Sequence, residues 1–112
     1  MKTLPFIITP KASKSEKNKG CEDISKIVID KDGNEKVLEG NCHETVKPLK
    51  LMSFLITMGS REGDIVLDPF AGSGTTCVAA KELKRKYIGI ELDEYSCKTG
   101  EARLKAVKDK LI

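Results

Sequence analysis

The run Asp64-Ile65-Val66-Leu67-Asp68-Pro69-Phe70-Ala71-Gly72-Ser73-Gly74-Thr75-Thr76 constrains this chain more than any other stretch. Ile65, Val66 and Leu67 form an apolar strand with no polar alternation. Such a strand belongs to a parallel sheet covered on both faces. Gly72 and Gly74 make a tight turn, and a helix starts at Thr75 or Thr76. A strand, a glycine turn and a helix N-terminus together present backbone N–H groups to a ligand.

The elements that follow continue one unit. Thr76, Ala79, Ala80 and Leu83 share a helix face, and Lys84-Arg85-Lys86 closes the helix with the cations its dipole prefers. Tyr87-Ile88-Gly89-Ile90 is the next apolar strand and ends at Glu91. Strand, helix and strand from Ile65 to Ile90 form a parallel crossover. A last helix is expected from Asp93 to Lys110, with Cys97, Gly100, Leu104, Val107 and Leu111 on one face. Gly100 weakens that helix by about 1 kcal/mol relative to alanine. A close approach to another backbone would account for it.

Upstream, Phe6-Ile7-Ile8-Thr9 is a candidate strand closed by Pro10. Lys11 to Gly20 is polar and basic, with no apolar face. It reads as a solvated loop or a binding arm carrying Lys11, Lys14, Lys17 and Lys19. Ile27-Val28-Ile29 and Lys36-Val37-Leu38 flank an Asp-Gly turn and predict a hairpin. That hairpin has few residues to bury. Pro48 opens a helix that Gly59 stops. Leu49, Leu51, Met52, Phe54, Leu55, Ile56 and Met58 make it apolar nearly all round, so it is expected to be buried between other elements.

Composition narrows the class. The chain has 112 residues, 33% of them charged, and a formal net charge of +3. That is one small soluble domain, too weakly basic for charge alone to argue nucleic acid binding. No apolar run approaches the roughly 20 residues of a membrane span, and Leu4 to Ile8 is too short for a signal peptide. Cys21, Cys42, Cys77 and Cys97 show no C-x-x-C spacing. Reduced thiols and a cytoplasmic location are the expectation. Cys42-His43 beside Cys21 is a thin case for a metal site, and no metal is expected.

Glu91 lies roughly 20 residues past the turn, where a carboxylate accepts hydrogen bonds from ribose hydroxyls. Three ligand classes compete. A P-loop needs a lysine after the last glycine, and none follows Gly74. A dinucleotide fingerprint needs a third glycine where Cys77 stands. S-adenosylmethionine is a nucleoside with an amino-acid tail and no pyrophosphate, so a glycine pair suffices.

At these residues the chain resembles the DNA amino-methyltransferases. Asp68-Pro69-Phe70-Ala71-Gly72-Ser73-Gly74-Thr75-Thr76 is similar to their first cofactor motif, and Gly89-Ile90-Glu91-Leu92-Asp93 to their second. His43-Glu44-Thr45-Val46-Lys47-Pro48 resembles the H-P-T-V-K-P motif of the permuted, β-type members. Lys11 to Glu16 resembles a stretch found earlier in such enzymes. The likeness implies an α/β, partial Rossmann-like S-adenosylmethionine-dependent methyltransferase fold behind an N-terminal hairpin and loop region. Residues 1–42 would end a target-recognition region, and residues 43–112 would bind cofactor.

The same resemblance implies roles. Asp68, Phe70, Gly72 and Gly74 would frame the methionine part of S-adenosylmethionine. Thr75 would hold its polar tail, Glu91 its ribose and Leu92 its adenine. Thr45 and Lys47 would reach its carboxylate. Glu44 stands where the motif has proline, which loosens the turn and adds a negative charge nearby. The D-P-P-Y-like or S-P-P-Y-like motif that holds a flipped target base has no counterpart, because no Pro-Pro pair occurs. The expectation is the cofactor portion of a DNA methyltransferase, with no catalytic residue of its own. Its partners would be DNA, a chain carrying the catalytic half, or a second copy covering open sheet edges. The alternative is a non-catalytic remnant that binds a partner chain or DNA.

Overall fold

A computed structural model describes residues 9–43 and 45–108. Most of the expected first strand (Phe6 to Ile8), Glu44, and the expected helix end with Lys110 and Leu111 lie outside the described residues. Within them the order is α1 (Lys14–Asn18), β1 (Ser25–Ile29), β2 (Glu35–Glu39), α2 (Leu49–Gly59), β3 (Ile65–Asp68), α3 (Thr75–Glu82), β4 (Lys86–Gly89) and α4 (Glu94–Lys105). The expected hairpin, crossover and flanking helices are all present.

The crossover unit holds the core. β3 and β4 pair in parallel, with Val66 opposite Tyr87 and Leu67 opposite Ile88. Val66 and Tyr87 point to the helical side, where α2 and α3 pack together. Ile56, Ala79 and Ala80 are buried there, against Leu49, Met52, Val66, Leu83 and Tyr87. Paired alanines lack bulk, so α3 can lie close to both α2 and the sheet. Arg85 ties the layers: its Nη2 donates to the Ser60 carbonyl at 2.8 Å and its Nη1 to the Leu83 carbonyl at 2.9 Å.

Four expectations change. First, β3 is covered on one face only. Ile65, Leu67, Ile88 and Ile90 remain half exposed or more, because the described helices pack on the opposite side. Second, α2 is not buried all round. Ile56 is 6% exposed, but Phe54, Leu55 and Met58 stay open, since α2 meets α3 on a single side. Third, the basic stretch is neither loop nor free arm. Ser13 caps α1 by accepting the Glu16 N–H at 3.1 Å, a favourable N-cap interaction. Asn18 Oδ1 then accepts the Asn41 N–H at 2.7 Å, while the Lys17 carbonyl accepts Asn41 Nδ2 at 2.9 Å. Fourth, α3 ends at Glu82, so Lys84, Arg85 and Lys86 lie beyond it and Lys84 reverses the chain with φ of 60°.

The stripe that α4 buries also differs from expectation. It is Ser96, Thr99, Gly100 and Arg103, spaced by three and four residues, with Cys97 and Leu104 only partly covered. The reason is what α4 faces. It lies against backbone rather than apolar side chains: the glycine turn on one side and the N-terminal segment on the other. Tyr95 donates to the Gly40 carbonyl at 2.7 Å, and Cys21 Sγ contacts the Thr99 carbonyl at 3.8 Å. Backbone carbonyls need donors when water is excluded, and Arg103 on the inner stripe supplies one to Ser73. The β1–β2 hairpin keeps Ile27, Ile29 and Val37 exposed.

This packing predicts a sharp contrast within α2. Ile56→Ala should lower unfolding free energy by about 2–4 kcal/mol in urea titration, as for a buried aliphatic cut to alanine. Met58, 72% exposed, should change it by less than about 0.5 kcal/mol when cut to alanine. Equal effects would contradict the assignment of the buried side.

Candidate functional site

The glycine turn gathers the sequence-predicted residues at the carboxyl ends of β3 and β4. Asp68 closes β3 and organises the turn from within. Its Oδ1 accepts the Phe70 N–H at 3.0 Å, and its Oδ2 accepts the Thr76 hydroxyl at 2.6 Å. The Ala71 N–H donates to the Ile90 carbonyl at 2.9 Å, which locks the turn to the strand beside it. Gly72 and Gly74 take φ of 57° and 84°, a region that side chains with Cβ rarely enter. A Cβ on Gly74 would meet the Gly100 Cα at 3.2 Å. The backbone that Gly100 approaches is therefore this turn, although a Cβ on Gly100 itself would make only ordinary contacts, at 3.4 Å or more.

Glu91 spans the two loops. Its Oε1 accepts the Gly72 N–H at 3.1 Å and its Oε2 accepts the Asp93 N–H at 3.0 Å. A carboxylate offers about four lone-pair positions, so two amide bonds fix it and leave acceptors for a ligand. A cleft of about 370 Å³ opens beside it, lined by Ala71, Gly72, Gly74, Gly89, Cys97 and Gly100 among others. The larger hollow, about 520 Å³, lies between α1 and β2 around Asn18 and Gly40. It holds none of the expected cofactor residues, though Ser15 and Lys19 line it.

The upstream motif reaches the same place. His43 lies against Gly72, where a Cβ would sit 2.8 Å from His43 Nε2. The Thr45 N–H donates to His43 Nδ1 at 3.3 Å, and Lys47 Nζ donates to the Thr45 carbonyl at 3.3 Å. Thr45 and Lys47 are exposed, as are Phe70 and Leu92. Thr75 is buried, and its hydroxyl faces Arg103 rather than the cleft. Lys11, Lys14 and Lys19 are exposed around α1 and Lys17 is half buried; none of them lines the cleft.

Arg103 braces the turn from behind, a contact that motif reading misses. Buried on α4, it aims Nη1 at the Ser73 carbonyl (3.0 Å), Ser73 Oγ (3.1 Å) and Thr75 Oγ1 (3.0 Å). Burial lowers its pKa, opposed by the charges of Cys21, Glu16 and Glu82. A signal did exist: Arg103 follows Ser96, Thr99 and Gly100 on one stripe of small residues, an odd position for an arginine that faces water. Among the described residues no group of three or more His, Cys, Asp or Glu is placed to hold a metal ion. Cys21 turns to Thr99 and Cys42 to the carbonyls of Glu39 and Gly40.

Comparison with known proteins agrees with this geometry. A family model described as DNA methylase matches residues 6–102. Putative methylase YubD of Escherichia coli is 52% identical over 66 residues, which are 59% of this chain and 29% of that protein. Type II methyltransferase M2.DpnII of Streptococcus pneumoniae is 47% identical over 64 residues, 57% of this chain and 24% of its own length. The solved M1.HpyAVI–SAM complex superposes with a TM-score of 0.56 at 41% identity, over 70% of this chain and 44% of that one. The chain thus spans under a third of the two curated relatives and under half of the solved one.

Two outcomes test the site's construction. Gly74→Ala should cost about 1–3 kcal/mol in thermal unfolding, the penalty for a side chain forced into the left-handed region. Asp93 caps α4, and its bonds from the Ser96 hydroxyl and N–H hold its pKa below the ordinary carboxylate range. Its contribution is therefore fully present above that range and lost as pH falls through the depressed value. Helical circular dichroism should fall in that acid window, and Asp93→Asn should remove this part of the acid sensitivity.

Proposed function

The chain belongs to the N6/N4 DNA methylase family, and from that membership we propose that it is the S-adenosylmethionine-binding portion of a methyltransferase acting on an exocyclic amino group of adenine or cytosine in DNA. The observation that carries the reading is Glu91. Its carboxylate is held by amides of both loops beside a glycine turn that approaches without side chains. Such an anchored acceptor suits a ribose diol, since orientation is fixed before the ligand arrives.

The remaining residues fit the same ligand. Asp68, Phe70, Gly72 and Gly74 frame the methionine part, with Thr75 buried at the helix start behind them. Leu92, fully exposed, offers an apolar surface to adenine. Thr45 and Lys47 reach the carboxylate from the loop that His43 seats against the turn. When bound, the cofactor supplies a methyl group on a cationic sulfur, open to attack by an amino nitrogen. The chain's own residues hold and orient that donor.

The acceptor must be held elsewhere. No Pro-Pro pair exists in this sequence, so no D-P-P-Y-like or S-P-P-Y-like motif is present to grip a flipped base. We assign that task to the remainder of a methyltransferase, in the same chain or a separate one. The apolar sheet face of Ile65, Leu67, Ile88 and Ile90 and the unpaired edges of the two-stranded sheet suit it. A second copy covering that face is the competing arrangement. Residues 1–42 then end the target-recognition region, where Lys11, Lys14 and Lys19 are free to meet phosphates. The same exposed face also accommodates the second reading, a non-catalytic remnant that works by association alone.

Titration calorimetry with S-adenosylmethionine tests the reading. Binding is expected, and Glu91→Ala should weaken it by about tenfold or more, the usual worth of hydrogen bonds to a charged group. No heat at millimolar ligand from a folded sample would sink the proposal. Methylation of DNA by these residues alone would refute the assignment of the acceptor site to another portion.

A further inference from the structure

We propose that Arg103 is a positioning residue for this site: from the buried side of the glycine turn it fixes Ser73 and Thr75 so that the turn grips the amino-acid tail of the nucleoside cofactor. The inference rests on the functional reading above and deepens it.

Arg103 is 3% exposed, yet among the described residues no carboxylate forms an ion pair with it, the ion pair present being Lys98–Glu94. Its Nη2 is buried without a hydrogen-bond partner. A buried charge of this kind is costly, and an apolar residue of similar volume is often as stable or more so. Filling space therefore does not account for an arginine here. What the guanidinium does is specific. One nitrogen bonds Ser73 and Thr75, the residues on either side of Gly74. Gly74 is the residue with most conformational freedom to lose, and pinning both neighbours holds it at φ of 84°.

Arg103 acts from behind the turn. It lines a separate void of about 20 Å³ with Glu16, Leu49 and Glu82, whereas Gly72, Gly74 and Glu91 line the cleft. It does not touch the ligand. Ser73 and Thr75 flank Gly74 at the N-terminus of α3, Ser73 one residue beyond the Gly72 N–H that Glu91 holds. On the reading above that N-terminus faces the polar tail of the ligand, so the influence of Arg103 falls there. There its positive charge adds to that of the helix N-terminus, which favours a carboxylate.

The test compares two ligands by calorimetry: S-adenosylmethionine, and 5′-methylthioadenosine, which keeps the nucleoside and the thioether but lacks the amino-acid tail. Arg103→Lys keeps the charge and removes the planar fork; Thr75→Val removes one acceptor at constant volume. Each should weaken S-adenosylmethionine about tenfold and leave 5′-methylthioadenosine within about twofold. The double variant should lose no more than Arg103→Lys alone, because both changes remove one shared contact. Equal losses for the two ligands, or none for either, would overturn the proposal. If Arg103→Lys does not fold, the ligand ratio of Thr75→Val decides. Failure of the unmodified chain to bind either ligand would bring down the functional reading, and this inference with it.

Discussion

The close passage of α4 behind the glycine turn governs the arrangement of this molecule. Gly74 and Gly100 meet backbone to backbone, with no room for a side chain on the turn. That approach brings the inner stripe of α4 within reach of the turn's carbonyl and hydroxyl groups. It also accounts for the arginine on that stripe: Arg103 donates to the Ser73 carbonyl, which an apolar side chain would leave without that partner. Asp68 holds the turn from the strand, Glu91 from the neighbouring loop and Arg103 from behind. The turn is thereby held from three sides.

The same economy leaves the rest of the sheet exposed. Two parallel strands with helices on one face bury a small core centred on Ile56, Ala79 and Ala80. Parallel sheets are ordinarily covered on both faces, so Ile65, Leu67, Ile88 and Ile90 mark where further structure belongs. The relatives, of which this chain spans under half, have the length to supply it. On the proposed reading these residues hold the methyl donor, and no Pro-Pro pair stands among them to grip a base. Methyl transfer needs both, and the open face is the natural seam between them.

Much of this was legible in the residue order. The apolar run Ile65 to Leu67, the glycine pair and Glu91 fixed the crossover and the site, because strand patterning, turn chemistry and carboxylate spacing are local properties. His43 belongs to a motif noticed by resemblance, and its ring does lie against Gly72. What stayed hidden depends on partners distant in sequence. The all-apolar α2 reads as buried, yet among the described residues it packs on α3 with one side and leaves Phe54, Leu55 and Met58 exposed. The lysine-rich stretch reads as a loop until Ser13 caps it and Asn18 receives Asn41. Arg103 carries no motif; its contacts with Ser73 and Thr75 exist only because α4 passes close behind the turn at Gly74.

The central claim is that the cofactor nests in the cradle between Gly72 and Glu91. The most direct measurement is a nitrogen-15 correlation spectrum titrated with S-adenosylmethionine. The account predicts that the amide signals of Gly72, Gly74, Glu91, Leu92 and Asp93 shift with ligand, while those of Ile27, Ile29 and Val37 in the hairpin stay in place. A spectrum unchanged throughout, or one in which the hairpin signals move and the turn signals do not, would contradict it.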